Sequence, residues 1–312
     1  MLLGFRRTVA ALSLVTCLAL VVAGCGSSKK KASAASPATT PAAPRSTPAT
    51  TTAANAAVAA LVPASIKSKG TLAVAADASY APDEFFAPDG HTVIGMDADL
   101  SKALGDIMGL KTTVSNVTFD AIIPALASGK YDMGASSFTD TKAREKVVDF
   151  VDYASVGESF FTKAQGGTTI NSIADICGKT VAVQKATTEL ADATTQSGKC
   201  KKAGKPAVKL VVFTLETDVN LALVSGRAQL GFADTPVAGY AVTKSNGQLK
   251  LTGASFATAP YGFAVPRQPG LAKAVLAALK VLMQNGSYAS VLSKWGLSGG
   301  AITNPGINGA IG

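Results

Sequence analysis

Ser137, Thr139 and Arg144 lie within eight residues, just beyond the short apolar run Asp132–Ala135. An arginine presents a planar fork of donors that matches a carboxylate, and hydroxyls at a strand end can complete such a grip. A second candidate is Thr187-Thr188-Glu189-Leu190, which follows the run Lys179–Gln184. A threonine there is a natural helix N-cap, and the free N–H groups of that first turn form an anion site; the alternative is a cap that holds nothing. Asp234 follows the run Gln229–Ala233 and suits an ammonium group, although taken alone it reads first as a helix cap. A guanidinium with hydroxyls facing a carboxylate describes the two ends of an α-amino acid. The single histidine, His91, sits on the turn after Pro88-Asp-Gly90 and reads as a surface residue, so neither an acid–base pair nor a metal site is evident.

These residues need elements to hold them. Gly70–Ala76 reads as a buried strand that ends in the loop Asp77–Pro82. Met96, Leu100, Ala103, Leu104, Ile107 and Met108 share one face at helical spacing, with Gly109 as the stop. Lys111–Val117 alternates as a strand. Phe119, Ile122, Ile123 and Leu126 form another helix face, in which Pro124 suggests an irregular start. Phe160–Lys163, Lys179–Gln184, Gln229–Ala233 and Tyr261–Val265 read as strands, and Thr217–Val224 and the Leu271–Leu282 run as helices. The Gly-rich end from Ser298 reads as weakly structured. Strands alternating with helices argue for an α/β class. The frame Ala-Leu-x-Ser-Gly-basic-x-x-apolar-Gly occurs twice, at 125–134 and 222–231, and Thr71–Ala75 echoes Thr180–Gln184. Two echoes in the same order argue for two lobes of similar build. Ser137 and Asp234 then occupy equivalent places beyond a strand's carboxyl end, where open α/β sheets bind ligands.

Residues 1–25 have the pattern of an export signal, with Arg6 and Arg7 before an apolar run, Val9–Val22, that is short for a membrane span. The run ends in Val22-Ala23-Gly24-Cys25, similar to a bacterial lipobox, with Cys25 as the lipid acceptor (a palmitate-type anchor) and an ordinary signal peptide as the alternative. Residues 26–60 are rich in Ser, Thr, Ala, Pro and Lys and read as a disordered tether, with a short helix in its Ala-rich end, Asn55 to Leu61, marginal alone, as the alternative. Lys29–Lys31 adjoin the anchor and either face anionic headgroups or belong to a solvated linker. Of 29 basic and 20 acidic residues, six basic ones and no acid fall in 1–60, which leaves 23 against 20 in the remainder. That near balance gives no nucleic-acid footprint. Two cysteines remain in the exported part, Cys177 and Cys200; an oxidising compartment favours their pairing, and two free thiols are the alternative.

Several pieces in one order resemble the bacterial extracellular solute-binding proteins of family 3: Gly95-Met-Asp-Ala-Asp-Leu100, Ser137–Arg144 followed by Val148-Asp-Phe150, Gly178-Lys-Thr-Val-Ala-Val-Gln with Thr187-Thr188, and Asn285-Gly-Ser-Tyr with Lys294-Trp295. The resemblance covers nearly all of 66–298. It implies a two-lobed α/β clamp, like the periplasmic binding proteins, with two crossover strands. Lobe 1 would hold 61–160 and 256–312, and lobe 2 would hold 163–253. It further implies that Arg144, Ser137, Thr139 and Thr188 take an amino acid's carboxylate and that Asp234 takes its ammonium. Asp77, Tyr80 and Phe85 would contact its side chain. Asp83 stands where many relatives carry an aromatic, a hint of a polar or cationic ligand. The expected role is extracytoplasmic capture of an amino acid by a lipid-anchored monomer and delivery to the permease of an ATP-binding-cassette importer. No cofactor and no catalysis are expected. The alternatives are a sensing module for a signalling partner and a dehydratase-like enzyme on the same scaffold.

Overall fold

The computed structural model describes residues 55–311; the signal segment, Cys25 and the start of the tether lie outside them. The described residues all fall in one compact unit.

In chain order the elements are α1 (Ala56–Leu61), α2 (Ala64–Lys69), β1 (Thr71–Ala76), β2 (Ser79–Tyr80), β3 (Glu84–Phe86), β4 (Val93–Ile94), α3 (Met96–Met108), β5 (Lys111–Asn116), α4 (Phe119–Ala127) and β6 (Met133–Gly134). A 3-10 turn at Arg144–Lys146 precedes β7 (Val148–Lys163). Then come β8 (Thr180–Gln184), α5 (Thr188–Lys202), β9 (Lys209–Phe213), α6 (Glu216–Val224), β10 (Leu230–Asp234), α7 (Thr235–Lys244), β11 (Leu249–Pro266), α8 (Leu271–Gln284) and α9 (Ser287–Trp295).

The main sheet runs β5-β1-β6-β11-β7-β10-β8-β9. It is two parallel blocks joined by an antiparallel ribbon. β1 pairs in parallel with β5 and β6, and β8 with β9 and β10. β11 closes the first block against β6, and β7 closes the second against β10. The two repeated sequence frames are the passages from α4 into β6 and from α6 into β10. The first shared glycine, Gly129 or Gly226, turns the chain at positive φ after the helix, and the last, Gly134 or Gly231, is required by close packing. A Cβ on Gly134 would press on Ile122 and Leu126, and one on Gly231 on Phe161 and Leu223.

Each block has its own apolar filling. In the first, Leu72, Val74, Leu100, Leu104, Phe263, Val275 and Leu279 are fully buried between β1, β11, α3 and α8. In the second, Phe160 and Phe232 stack at 4.0 Å beside Val181 and Leu230. Cys177 and Cys200 are joined, with Cα atoms 5.6 Å apart, and pin α5 to the segment before β8.

Three expectations are corrected. The last residues of the expected disordered tether, 55–60, are ordered: Asn55 caps α1 by accepting from the Val58 N–H at 3.1 Å, and Val58 is buried in the first block's apolar filling. α4 begins regularly and runs through Pro124, because its first N–H, on Phe119, donates to the Asp77 carboxylate at 3.0 Å. The C-terminal segment is ordered on β7: Ala301 bridges Ala154, Ile307 bridges Val151, and Asn308 exchanges two hydrogen bonds with the Phe150 backbone. Backbone pairing replaces the packing that its composition cannot provide.

Candidate functional site

β1, β6, β8 and β10 all end at one cleft, where Asp77, Tyr80, Phe119, Ser136, Ser137, Thr139, Arg144, Gln184, Thr187, Thr188, Glu189 and Asp234 enclose a small cavity. Arg144 is anchored from both walls. Its Nη1 donates to the Thr139 carbonyl at 2.7 Å, and its Nη2 donates across the cleft to the Ala186 carbonyl at 2.9 Å. The guanidinium lies 5.4 Å from the ring centres of both Phe119 and Phe138, a stacked setting that suits arginine and not lysine. Burial pulls its pKa down, while the carboxylates of Glu189 and Asp234 oppose that.

Opposite stands the N-terminus of α5. Thr187 is its cap, accepting from the Leu190 N–H at 3.2 Å and donating to the Gln184 carbonyl at 2.9 Å. Thr188 brings its hydroxyl to 3.4 Å from that of Thr139. The hydroxyls of the two lobes therefore meet beside Arg144, with free helix N–H groups behind them.

Asp234, at the end of β10, accepts the Tyr80 hydroxyl at 2.8 Å. Burial pushes its pKa up to about 6 against the opposing Tyr80, Tyr261 and Arg144. Glu189 is buried, has an unpartnered Oε1, and is held well above the carboxylate range by burial and then by Asp234. Asp77 takes the backbone N–H groups of Ser79 and Phe119 and, across the cleft, the Gln184 amide at 2.8 Å; burial raises its pKa. The cavity thus carries three carboxylates and one guanidinium.

The structure places eight of the nine sequence-derived ligand residues on this lining. Phe85 is the exception. Its ring sits 5.7 Å from Trp295 and 6.1 Å from Tyr240, away from the cavity, because the β2–β4 sheet turns it toward α7 and α9. Ser137 lines the cavity but its hydroxyl turns inward, donating to Asp83 at 2.8 Å. Asp83 is likewise not a cavity residue. With Glu84 and Asp97 it forms a buried acidic group under the cavity floor, and burial and the neighbouring acids push Asp83 and Glu84 far up. Phe119, Ser136, Gln184 and Glu189 were not anticipated. Gln184 ends a stretch that had been singled out, and Ser136 adjoins Ser137; Glu189 carried no separate signal.

The remaining motif residues are structural. Gly95 is at φ +128, and any Cβ there would run into the Asp83 carbonyl. Asp97 accepts from the Tyr153 hydroxyl at 2.6 Å and the Ser137 N–H at 2.7 Å. Asp99 accepts from Lys294 at 2.6 Å and from the Trp295 indole at 2.8 Å, so two motifs 195 residues apart in the chain are one contact.

The model of the bacterial extracellular solute-binding proteins, family 3, matches residues 72–298. The chain belongs to that family. The arginine-binding protein ArgT of Corynebacterium glutamicum is 32% identical over 252 residues, covering 80% of this chain and 82% of that protein. An ancestral arginine-binding protein solved with arginine has 34% identity and a TM-score of 0.67, over 72% of this chain and 98% of its own. An ancestral amino-acid-binding protein described as a precursor of cyclohexadienyl dehydratase has the same identity and TM-score, over 74% and 97%. The fold is the two-lobed clamp of these neighbours, with β7 and β11 as the crossovers.

Proposed function

We propose that the cleft binds an α-amino acid with a cationic side chain, for import through an ATP-binding-cassette permease. The observation that carries the reading is the charge of the lining: Asp77, Glu189 and Asp234 against Arg144 alone. An α-carboxylate on Arg144, Thr139 and Thr188 satisfies the one cation. An α-ammonium on Asp234 leaves Asp77 and Glu189 for the side chain, and a guanidinium or side-chain ammonium beside them would favour their ionised forms against the burial that pushes both up. The family and the arginine-binding relatives support the same reading. Tyr80 would border the ligand, since its hydroxyl is already on Asp234.

Calorimetry with arginine, lysine, ornithine, glutamine and glutamate tests this. The cationic ligands should bind at least about 100-fold more tightly than glutamine, and Asp77→Asn with Glu189→Gln should narrow that gap. Glutamine binding as tightly as arginine would remove the cationic assignment. The dehydratase-precursor neighbour supports one further check. Chromatography of ligand left with the protein should return it unchanged, and a new product would make the chain an enzyme.

Membrane attachment through Cys25 is part of the proposal, supported by the lipobox-like Val22–Cys25. Cys25→Ser should release the protein from the membrane fraction into the medium.

A further inference from the structure

Charge is divided unequally between the two parts of the folded unit. Residues 163–253 carry eleven lysines and arginines against six acids, whereas residues 55–162 with 254–312 carry twelve against fourteen. Three of the six acids in 163–253, Glu189, Glu216 and Asp234, are buried, so the surface of this lobe is more basic still.

The excess is concentrated at one corner. Lys199, Lys201 and Lys202 occupy the last turn of α5, Lys205 the following loop, and Lys179 and Lys209 the starts of β8 and β9. The local structure forces them together. The Cys177–Cys200 bond ties the segment before Lys179 to the last turn of α5, and the Lys209 N–H donates to the Lys179 carbonyl at 2.8 Å. The Lys205 N–H donates to the Cys200 carbonyl at 2.9 Å. Five of these lysines are exposed and Lys179 is half-buried. Among the described residues none of the six makes an ion pair. Two acids border them, Asp175 near Lys205 and Asp192 near Lys199. Capping the C-terminal carbonyls of α5 accounts for lysines in that last turn; it does not account for Lys179, Lys205 and Lys209. The corner lies at the starts of β8 and β9, whereas the cleft lies at their ends, about 15 Å along the strands.

We propose that this lysine corner is a docking face for an anionic lipid surface. Charge complementarity selects a polyanion, and the chain's own layout selects the bilayer. The 29 residues from Gly26 to Ala54 span at most about 100 Å, so an anchor at Cys25 keeps the domain within reach of its membrane. Each lysine near an anionic leaflet adds attraction that salt screens. The biological setting rests on the Cys25 anchoring proposed above; the chemistry of the corner does not.

The compact unit 50–312 contains every described strand, helix and buried cluster, so it serves as the test protein without the anchor. It should float with phosphatidylcholine vesicles containing 30% phosphatidylglycerol and not with pure phosphatidylcholine. Binding should fall about tenfold between 50 and 300 mM salt. Lys201→Glu, Lys202→Glu and Lys205→Glu together should abolish it, while the same reversal at the exposed lobe-1 lysines Lys102, Lys273 and Lys280 should change it less than about threefold. The corner variant should keep its melting temperature and its amino-acid affinity, which separates this inference from the ligand assignment. Failure of the wild-type unit to float, or equal loss in both triple variants, overturns the proposal. Binding of soluble polyphosphate through the corner with no vesicle binding also overturns it, in favour of an anionic polymer.

Discussion

Arg144 touches both walls of the cleft, and its role follows from that. Replacing it with lysine keeps the charge but loses the planar fork, the two carbonyl anchors and the contact with the stacked pair Phe119 and Phe138. Arg144→Lys should therefore weaken amino-acid binding at least about 100-fold by calorimetry, with the protein still folded by circular dichroism. On the proposed reading of the cleft, Asp234 sets the pH dependence. Its folded pKa is about 6, and only the ionised form pairs with an ammonium. Affinity should hold from pH 8 to 7 and then drop roughly tenfold per unit below 6; a flat profile down to pH 5 would remove Asp234 from that role. Arg144, Thr139, Thr188 and Asp234 were legible in the sequence because each lies on the carboxyl side of a strand: Thr139 and Arg144 in the stretch after β6, Thr188 at the start of α5 after β8, and Asp234 at the end of β10. Glu189 was not, since an acid in a helix's first turn ordinarily complements the dipole in solvent, and only tertiary packing buries it here. The inward turn of the Ser137 hydroxyl depends on Asp83, 54 residues away, and no local pattern encodes that.

Among the elements, the loop after β6 and strand β7 together carry a second titrating pair. Asp140 and Asp152 are buried, and Asp140 is pushed up to about 7 by burial first and then by Asp152, with Glu145 adding and Lys142 opposing. A carboxyl whose folded pKa is raised favours the protonated folded state. Its contribution is complete below the unfolded value near 4 and is lost as pH rises through about 7. The protein should therefore melt lower at pH 8 than at pH 5, and Asp140→Asn should reduce that fall by roughly 3 °C. An unchanged fall in the variant would place the titration elsewhere, Glu158 being next in line with a pKa near 8. Removing the Cys177–Cys200 bond, which spans 23 residues, should cost about 3 kcal/mol and lower the melting temperature under oxidising conditions only. α3, α4 and α8 were readable from apolar spacing. The full lengths of β7 and β11 were not: Gly157, Gly253 and Pro260 punctuate them as breaks, and the partner that overrides those breaks lies about a hundred residues away. The two repeated frames conveyed the lobes better than any single strand, because close packing demands the same glycine in both.

At the scale of the molecule, a ligand that contacts both walls stabilises the clamp as a whole. At 1,000 times its dissociation constant it adds about 4 kcal/mol, equivalent to a melting-temperature rise of roughly 8–16 °C for a unit of this size. A thermal-shift series with arginine and lysine should show that rise, and the Arg144→Lys protein should show no more than about a third of it.

The crossover ribbon sets how such binding is transmitted. β7 and β11 keep their register at both ends, Leu249–Thr252 against Phe160–Lys163 and Gly262–Pro266 against Val148–Asp152. Register shifts fall between Thr252 and Ala259, where Gly157 faces the irregular stretch and Ala257 adopts φ +52, with one further shift at Tyr261–Gly262. Paired strands resist sliding past each other and flex most easily where the pairing is irregular. The ribbon then behaves as a leaf spring clamped at both ends: shear and independent twisting are stiff, and one bend is soft. A cargo's free energy feeds a single coordinate, the opening angle, and any body resting on both outer rims reads that one number.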